Sequence, residues 1–360
     1  MSLEYMFGAL LKSSRIEPEV IPMSAVSHLE VEPSPLSPSH EKRMVVRNDS
    51  SSPAVLALFE NEASIQSVAC HAVAISKAFG HRLAMTRVSE FANGNFPVDP
   101  ISWRAGQFDY RHDVQAELAR HGADAEGDLW LDVDRSPDTL RSVAKKARAS
   151  IVVTSRAVDE EGLGATALDL LEHTDLSLLV VPETGRSYEG RYRRILLPVD
   201  GSSRADSVVP LAMRLAGSHA IAVTLAHVLS GNIRSQSGVI GRAAGSVDRE
   251  KAERRRAERH LADLKRQLVA RGFHVETDIR GPADARLSLL ELIDERDFDL
   301  VLISAHGQSA LPHTACGSVA RHLLSLSSAP VLLVRPGSNF TNGRREVAVQ
   351  EQAIFRFKDD

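Results

Sequence analysis

The stretch Phe298–Ser318, FDLVLISAHGQSALPHTACGS, decides how this chain is read. It opens on an apolar run, Phe298 to Ile303, with the length and composition of a buried strand. The run passes into small residues, with Gly307 and Gly317 separated by nine positions, and Gly317-Ser318 opens a helical pattern from Val319 to Leu326. Backbone amides in such a loop, and at the start of such a helix, can point at an anion without a basic side chain. The loop is expected to cradle phosphate.

Upstream, Ile195–Ser202 reads ILLPVDGS, a short apolar strand that ends in a carboxylate and a turn. From there the expected elements alternate: strand Ile195–Val199, helix Ala205–Ala216, strand Ile221–Val228, helix Val247–Ala270 and strand His274–Ile279. Helix Ala283–Glu295, strand Leu300–Ile303, helix Val319–Leu326 and strand Val331–Val334 complete the series. Such alternation implies parallel pairing with right-handed crossovers, hence a doubly wound sheet. Ligands of these sheets sit beyond the carboxyl ends of the strands, where the strand order reverses.

With both segments in view, the sequence resembles the universal stress protein family, whose nucleotide-binding members carry G-x2-G-x9-G-[S/T] after the fourth strand and an Asp ending the first. Gly307-x9-Gly317-Ser318 keeps the second part of that motif, Ser304 stands in place of its first glycine, and Asp200 is the strand-end carboxylate. The resemblance covers Arg193 to Pro336 well and Ala54 to Pro182 more faintly. It implies an α/β fold of two tandem, Rossmann-like, doubly wound five-stranded parallel sheets with strand order 3-2-1-4-5. The reversal then falls between the strands ending at Asp200 and Ser304. ATP, with or without Mg²⁺, is the implied ligand. Asp200 would lie near adenine and ribose, because a carboxylate without a metal is repelled by phosphates, and Pro198 and Val199 would wall the base. Val228 would offer backbone groups to adenine. Ser304, Gly307, Gly317 and Ser318 would surround the phosphates, flanked by Ile303 and Val319.

The first half repeats the outline. Val55–Glu60 matches the first strand, Ile151–Thr154 the fourth, and Leu178–Pro182 parallels Leu332–Pro336. The site does not repeat: Glu60 stands where Asp200 does, and the loop after Thr154 is shortened to Asp159-Glu160-Glu161 followed by Gly162-Leu163-Gly164. Carboxylates there would repel phosphate, so this half is expected to bind no nucleotide. The expected organisation is a tail over 1–50, with one short helix near Tyr5–Lys12, a degenerate domain over 51–186, a nucleotide-binding domain over 190–337 and a second tail over 338–360. The first tail rests on its Pro, Ser and Glu content, which offers too little apolar surface to offset ordering entropy.

Composition narrows the function. A formal charge of −4 and a pI near 6.4 supply no broad basic field, which argues against nucleic acid as a partner. The mixed-sign run Arg249–Arg259 reads as the solvated face of a helix whose apolar stripe is Leu261, Leu264 and Leu268. Two cysteines, Cys70 and Cys316, without metal-ligand spacing suit a reducing cytoplasm. No apolar run approaches the roughly 20 residues that span a bilayer, and no export signal opens the chain. Each site residue also has a structural reading. Asp200 can cap a helix, Val228 can be core, the glycines can serve turns, and Ser304 can narrow the pocket or itself donate to phosphate. His306, His313 and His322 lack the companions of a metal site. Cys316 could be activated by a helix start, or simply be packed.

The leading expectation is a regulatory, non-enzymatic adenine-nucleotide binder of the stress response, acting through conformation or partner binding, with at most slow ATP hydrolysis. The alternative is a nucleotide-free scaffold of the same fold. A ligase or pyrophosphatase is disfavoured, because G-x4-G-K-[S/T], Ser-Gly-Gly and His-x-Gly-His signatures are all missing. The apolar edge Val331–Val334 must be covered. It would pair across a homodimer two-fold or with Leu178–Val181 in an intramolecular pseudo-dimer.

Overall fold

Two runs of alternating strands and helices build the molecule, and the second repeats the first. β1 (Ala54–Phe59) leads through α1 (Ser64–Phe79), β2 (Arg82–Arg87), α2 (Pro100–Arg120), β3 (Asp128–Leu129), α3 (Pro137–Ala147), β4 (Ala149–Arg156) and α4 (Ala165–His173) to β5 (Ser177–Pro182). The second run comprises β6 (Arg194–Pro198), α5 (Ser203–Asp206), α6 (Val209–Ala216), β7 (Ala222–Ser230), α7 (Ser246–Val269), β8 (His274–Ala283), α8 (Ala285–Glu295), β9 (Leu300–Ser304), α9 (Ser318–Leu326) and β10 (Val331–Val334). This computed structural model describes residues 52–88, 100–123, 128–129, 133–156, 162–183, 190–216, 221–230, 246–308 and 314–335. Both expected tails, Asp159–Glu161 and His313 lie outside them.

The strands form one ten-stranded sheet in the order β3-β2-β1-β4-β5-β10-β9-β6-β7-β8. Within each half the order is 3-2-1-4-5 and every pairing is parallel. The halves meet through the antiparallel pair β5–β10, with Val331 opposite Val180, Leu332 opposite Leu179 and Leu333 opposite Leu178. The apolar edge is therefore covered within the chain, as an intramolecular pseudo-dimer. β1, β5, β9 and β10 are buried along their whole length, which a sheet covered by helices on both faces demands.

Each face carries one apolar cluster that crosses the junction. On one face Val68 and Ala72 of α1 share a cluster with Val208, Ala212 and Leu261; on the other, Leu170 and Leu171 of α4 join Ala320, Leu323 and Leu324 of α9. Polar contacts bridge the halves too. Arg214 donates to Phe79 O at 3.0 Å and stacks on that ring at 4.8 Å, and Arg321 pairs with Glu172 at 3.0 Å. His71 Nδ1 lies 2.9 Å from the Tyr192 hydroxyl, and burial, with a smaller effect of His121, pulls this imidazole down to about 3, so it is neutral near pH 7.

Two elements differ from their sequence reading. The helix expected over Ala205–Ala216 is broken into α5 and α6. Pro210 has no N–H to donate back to Asp206, and Ser207 Oγ donates to Arg204 O at 2.6 Å in competition with the helix ladder. β8 runs on to Ala283 along the sheet edge, with a register irregularity opposite Val228 and Ser230. That edge carries charge rather than apolar side chains: Arg280 and Arg296 pair with Asp278, Glu295 and Glu276, which discourages strand addition.

Candidate functional site

The sheet order puts the ends of β6 and β9 side by side, and the residues there hold one another. Val199 continues β6, its N–H donating to Ala226 O at 2.9 Å. Its carbonyl accepts from His227 Nδ1 at 2.9 Å, which places the proton of this buried imidazole on Nδ1. His227 escaped the sequence reading, since a lone polar residue on an apolar strand gives no spacing signal. Gly201 then turns the chain at φ +82°, a conformation that suits only glycine.

Asp200 is held from two sides. Its Oδ1 accepts from Ser202 N at 2.9 Å and Ser202 Oγ at 2.6 Å, and Ser202 Oγ in turn caps α5 by accepting from Ala205 N at 3.1 Å. Its Oδ2 accepts from Gln308 N at 2.7 Å, and the Gln308 side-chain amide donates to Asp200 O. Gln308 thus fastens the loop after β9 onto the end of β6. Gly307 must be glycine for this to happen: a Cβ there would lie 2.1 Å from Asp200 Oδ2. The sequence reading assigned Gly307 to close approach by phosphate. The chain's own Asp200 carboxylate also approaches it closely.

Ser304, in place of the first motif glycine, is buried and donates from Oγ to His306 O at 3.0 Å, so its hydroxyl shapes the loop. Ala305 N bonds Val334 O, Gly317 N returns to Ala305 O at 2.7 Å, and His306 Nε2 lies 2.9 Å from Thr314 O. These bonds bring the start of α9 back to the end of β9. Gly317 is the N-cap of α9, at φ −68° and ψ 159°, and no side chain caps the helix. A Cβ at Gly317 would meet Ala305 O at 3.7 Å, an ordinary contact. Among the described residues, neither backbone conformation nor crowding demands glycine there. Ser318 is exposed and Val319 half-buried. Pro198 and Ile303 are buried wall, and Val228, half-buried on β7, lies one strand further out.

Cys316 is packed at 6 % exposure, and burial pushes its thiol up, against activation by the helix start. No group of three or more His, Cys, Asp or Glu side chains that could hold a metal occurs among the described residues. No described helix is long and apolar enough to cross a membrane.

The corresponding corner of the first half is filled. Glu60, beyond the end of β1, accepts from Thr166 Oγ1 at 2.9 Å on the first turn of α4, from Thr154 Oγ1 at 3.4 Å, and from Arg135 at 3.3 Å. A carboxylate of the chain therefore sits against the first turn of α4, the helix that answers to α9. A separate cleft of about 260 Å³ opens at the junction of the halves, lined among others by Cys70, His71, Glu183 and Asp299. Its carboxylates are already engaged: Glu183 by Asn61 and Ser155, Asp299 by the N–H groups of Arg193 and Arg194. Burial pushes the Cys70 thiol up to about 12. The cleft offers no phosphate cradle.

The chain is thus a doubly wound α/β protein with paired 3-2-1-4-5 half-sheets, the second of which has a glycine-containing loop at its order reversal. Residues 191–335 match the model of the universal stress protein family. A universal stress protein of Mycolicibacterium smegmatis is 31% identical over 148 residues, 39% of this chain and 47% of the relative. The match thus spans about half of that relative's length. A universal stress protein of Methanocaldococcus jannaschii is 23% identical over 155 residues, covering 40% of this chain and 95% of the relative. The crystal structure of a universal stress protein from Archaeoglobus fulgidus covers 80% of this chain and 100% of its own with a TM-score of 0.55 at 15% identity, a likeness of fold that extends over both halves.

Proposed function

We propose that the chain is an adenine-nucleotide-binding regulatory protein of the stress response, with one ligand site in its C-terminal half. The observation that carries this reading is the start of α9. A helix start without a side-chain cap, with a glycine N-cap that the described residues do not require, offers amide donors to an oxyanion. The motif spacing and the family match of residues 191–335 agree with it. Phosphates would lie against Gly317, Ser318 and Val319, with the base toward Asp200, Pro198, Val199 and Val228.

In this reading Asp200 exchanges partners. Donors of the adenosine moiety replace Gln308 on the carboxylate, and the loop that Gln308 fastened is released. That change of loop position is the regulatory output, acting on a partner protein in the cytoplasm. The described residues offer no set of side chains that would fix Mg²⁺ by themselves, so an ion would arrive on the triphosphate with its waters. In this reading the protein holds its nucleotide rather than turning it over.

Heat release of nucleotide from the purified protein, identified by mass spectrometry, together with calorimetric titration of ATP and adenosine, tests the proposal. Bound adenine nucleotide, or ATP binding tighter than adenosine, supports it. One observation favours the scaffold instead: the Asp200 carboxylate is engaged by Ser202 and Gln308 of the chain itself. A protein that carries no nucleotide and ignores added ATP would be that scaffold.

A further inference from the structure

Arg156 is anomalous. It is only 7 % exposed, it lies at the end of β4 in the first half, and its guanidinium crosses to the second half, where Nη2 donates to Ser327 O at 2.7 Å. Nε is buried without a partner among the described residues, and no described carboxylate forms an ion pair with it. Burial lowers its pKa, although a guanidinium remains protonated in such settings. Burying a cation without a counter-ion is costly unless something else compensates it. Ser327 is the C-cap of α9. The compensation is the negative end of that helix, whose terminal carbonyls attract a cation.

A second contact between the halves throws this into relief. Arg335, just beyond β10, donates to Leu171 O in the last turn of α4, so each half supplies an arginine to the other half's helix. Arg335, however, also has Asp175 at 3.8 Å. Arg156 has the helix end in place of a carboxylate. Since α9 spans nine residues, a shift of Ser327 is carried to Ser318 along a rod about 13 Å long.

We propose that Arg156 is a positioning residue through which the first half fixes the carboxyl end of α9, and so sets where its opposite end presents amides to the ligand. This rests on the reading of that end as the phosphate side. It gives the first half a role although its own corner is filled by Glu60.

The test uses the full chain with Arg156→Met, which keeps length and removes charge and donors, and Arg156→Lys, which keeps a cation. Hydrogen exchange of residues 318–326 without ligand is expected to accelerate about 10-fold in Arg156→Met, while residues 285–295 of α8 exchange as before. ATP affinity should fall about 5-fold with adenosine affinity unchanged, and Arg156→Lys should recover most of both losses. Unchanged exchange in α9, equal acceleration in α8 and α9, or a loosened α9 with unaltered ATP affinity would each overturn the proposal. If the unaltered chain binds no ATP, the nucleotide reading fails by itself, and the exchange experiment alone decides whether Arg156 positions α9. Should Arg156→Met not fold, Arg156→Gln, a neutral donor, carries the same comparison.

Discussion

Glu60 and Asp200 end the first strands of the two halves, and one methylene separates their fates. The longer Glu60 reaches the first turn of α4 and is received there by Thr166, with Thr154 and Arg135 completing its shell. Asp200 stays within its own turn, held by Ser202 and Gln308, and leaves the first turn of α9 without a side-chain acceptor. The second residue of each helix matches this: Thr166 in α4 has a hydroxyl to donate, and Val319 in α9 has none. Two copies of one topology thus differ in where the strand-end carboxylate goes, to a threonine hydroxyl on the first turn of α4 in one and to its own turn and Gln308 in the other, while neither helix start has a side-chain cap.

The largest effect expected from this comparison is at Gly317. Gly317→Val puts a branched side chain into the room proposed for phosphate, and ATP affinity should fall about 100-fold or more, with adenosine much less affected. Stability should change little, because the extended backbone at Gly317 accepts β-branched residues and the nearest described atom lies 3.7 Å from the added Cβ. Equal losses for ATP and adenosine in a normally folded variant would mean that the loop shapes the pocket without reading phosphate.

Next is a transplant. Asp200→Glu combined with Val319→Thr copies the filled corner of the first half into the second, and ATP binding should weaken about 30-fold while the melting temperature holds or rises. A double variant that binds ATP normally would break the equivalence of the two corners. The reciprocal contrast is Glu60→Ala against Asp200→Ala. The former should cost about 1–3 kcal/mol of stability, from buried donors left unpaired, and leave ATP binding alone. Asp200→Ala should keep the fold and lose about 10-fold in adenine-nucleotide affinity. Denaturant titration and calorimetry on the two variants separate these outcomes.

Gly307 gives a coupling test confined to the second half. Gly307→Ala drives a methyl into the Asp200 carboxylate and should cost about 1–3 kcal/mol, as overpacking does. In an Asp200→Ala background most of that cost should vanish. A cost that stays the same in both backgrounds would show that Gly307 is needed for something other than Asp200.

Much of this was legible in the sequence because strand-helix alternation and apolar runs are local signals. The buried runs Leu178–Val181 and Val331–Val334 announced edges that need cover, but nothing local says which edge covers which; their antiparallel pairing is a long-range choice. The site was legible as residue types, less so as roles. Gly307 at the motif spacing was found, but the carboxylate pressing on it depends on how two loops from distant parts of the chain meet. Gln308, His227 and Arg156 gave no periodic or spacing signal at all. Each acts through one backbone carbonyl or amide whose position only the folded sheet defines.

The smallest expected effect concerns whether Asp200 is exchangeable in the way that Glu60 is not. Gln308 holds Asp200 with a backbone N–H and a side-chain amide, and only the second is removed by Gln308→Ala. The side-chain amide donates to Asp200 O and helps hold the loop whose Gln308 N–H occupies the carboxylate, so a ligand that must displace that loop loses part of its binding free energy doing so. Loosening that loop should therefore tighten adenosine and ATP alike, by about 3-fold, the scale of one exposed neutral hydrogen bond. The gain should be the same for both ligands, because Gln308 touches the carboxylate end of the cleft and not the α9 end. Stability should fall slightly at most, since Gln308 is exposed. Weaker adenosine binding in Gln308→Ala would reverse the assignment: Gln308 would then be part of the ligand shell, and the fastening seen on Asp200 would be the arrangement that a nucleotide uses and not the one it displaces.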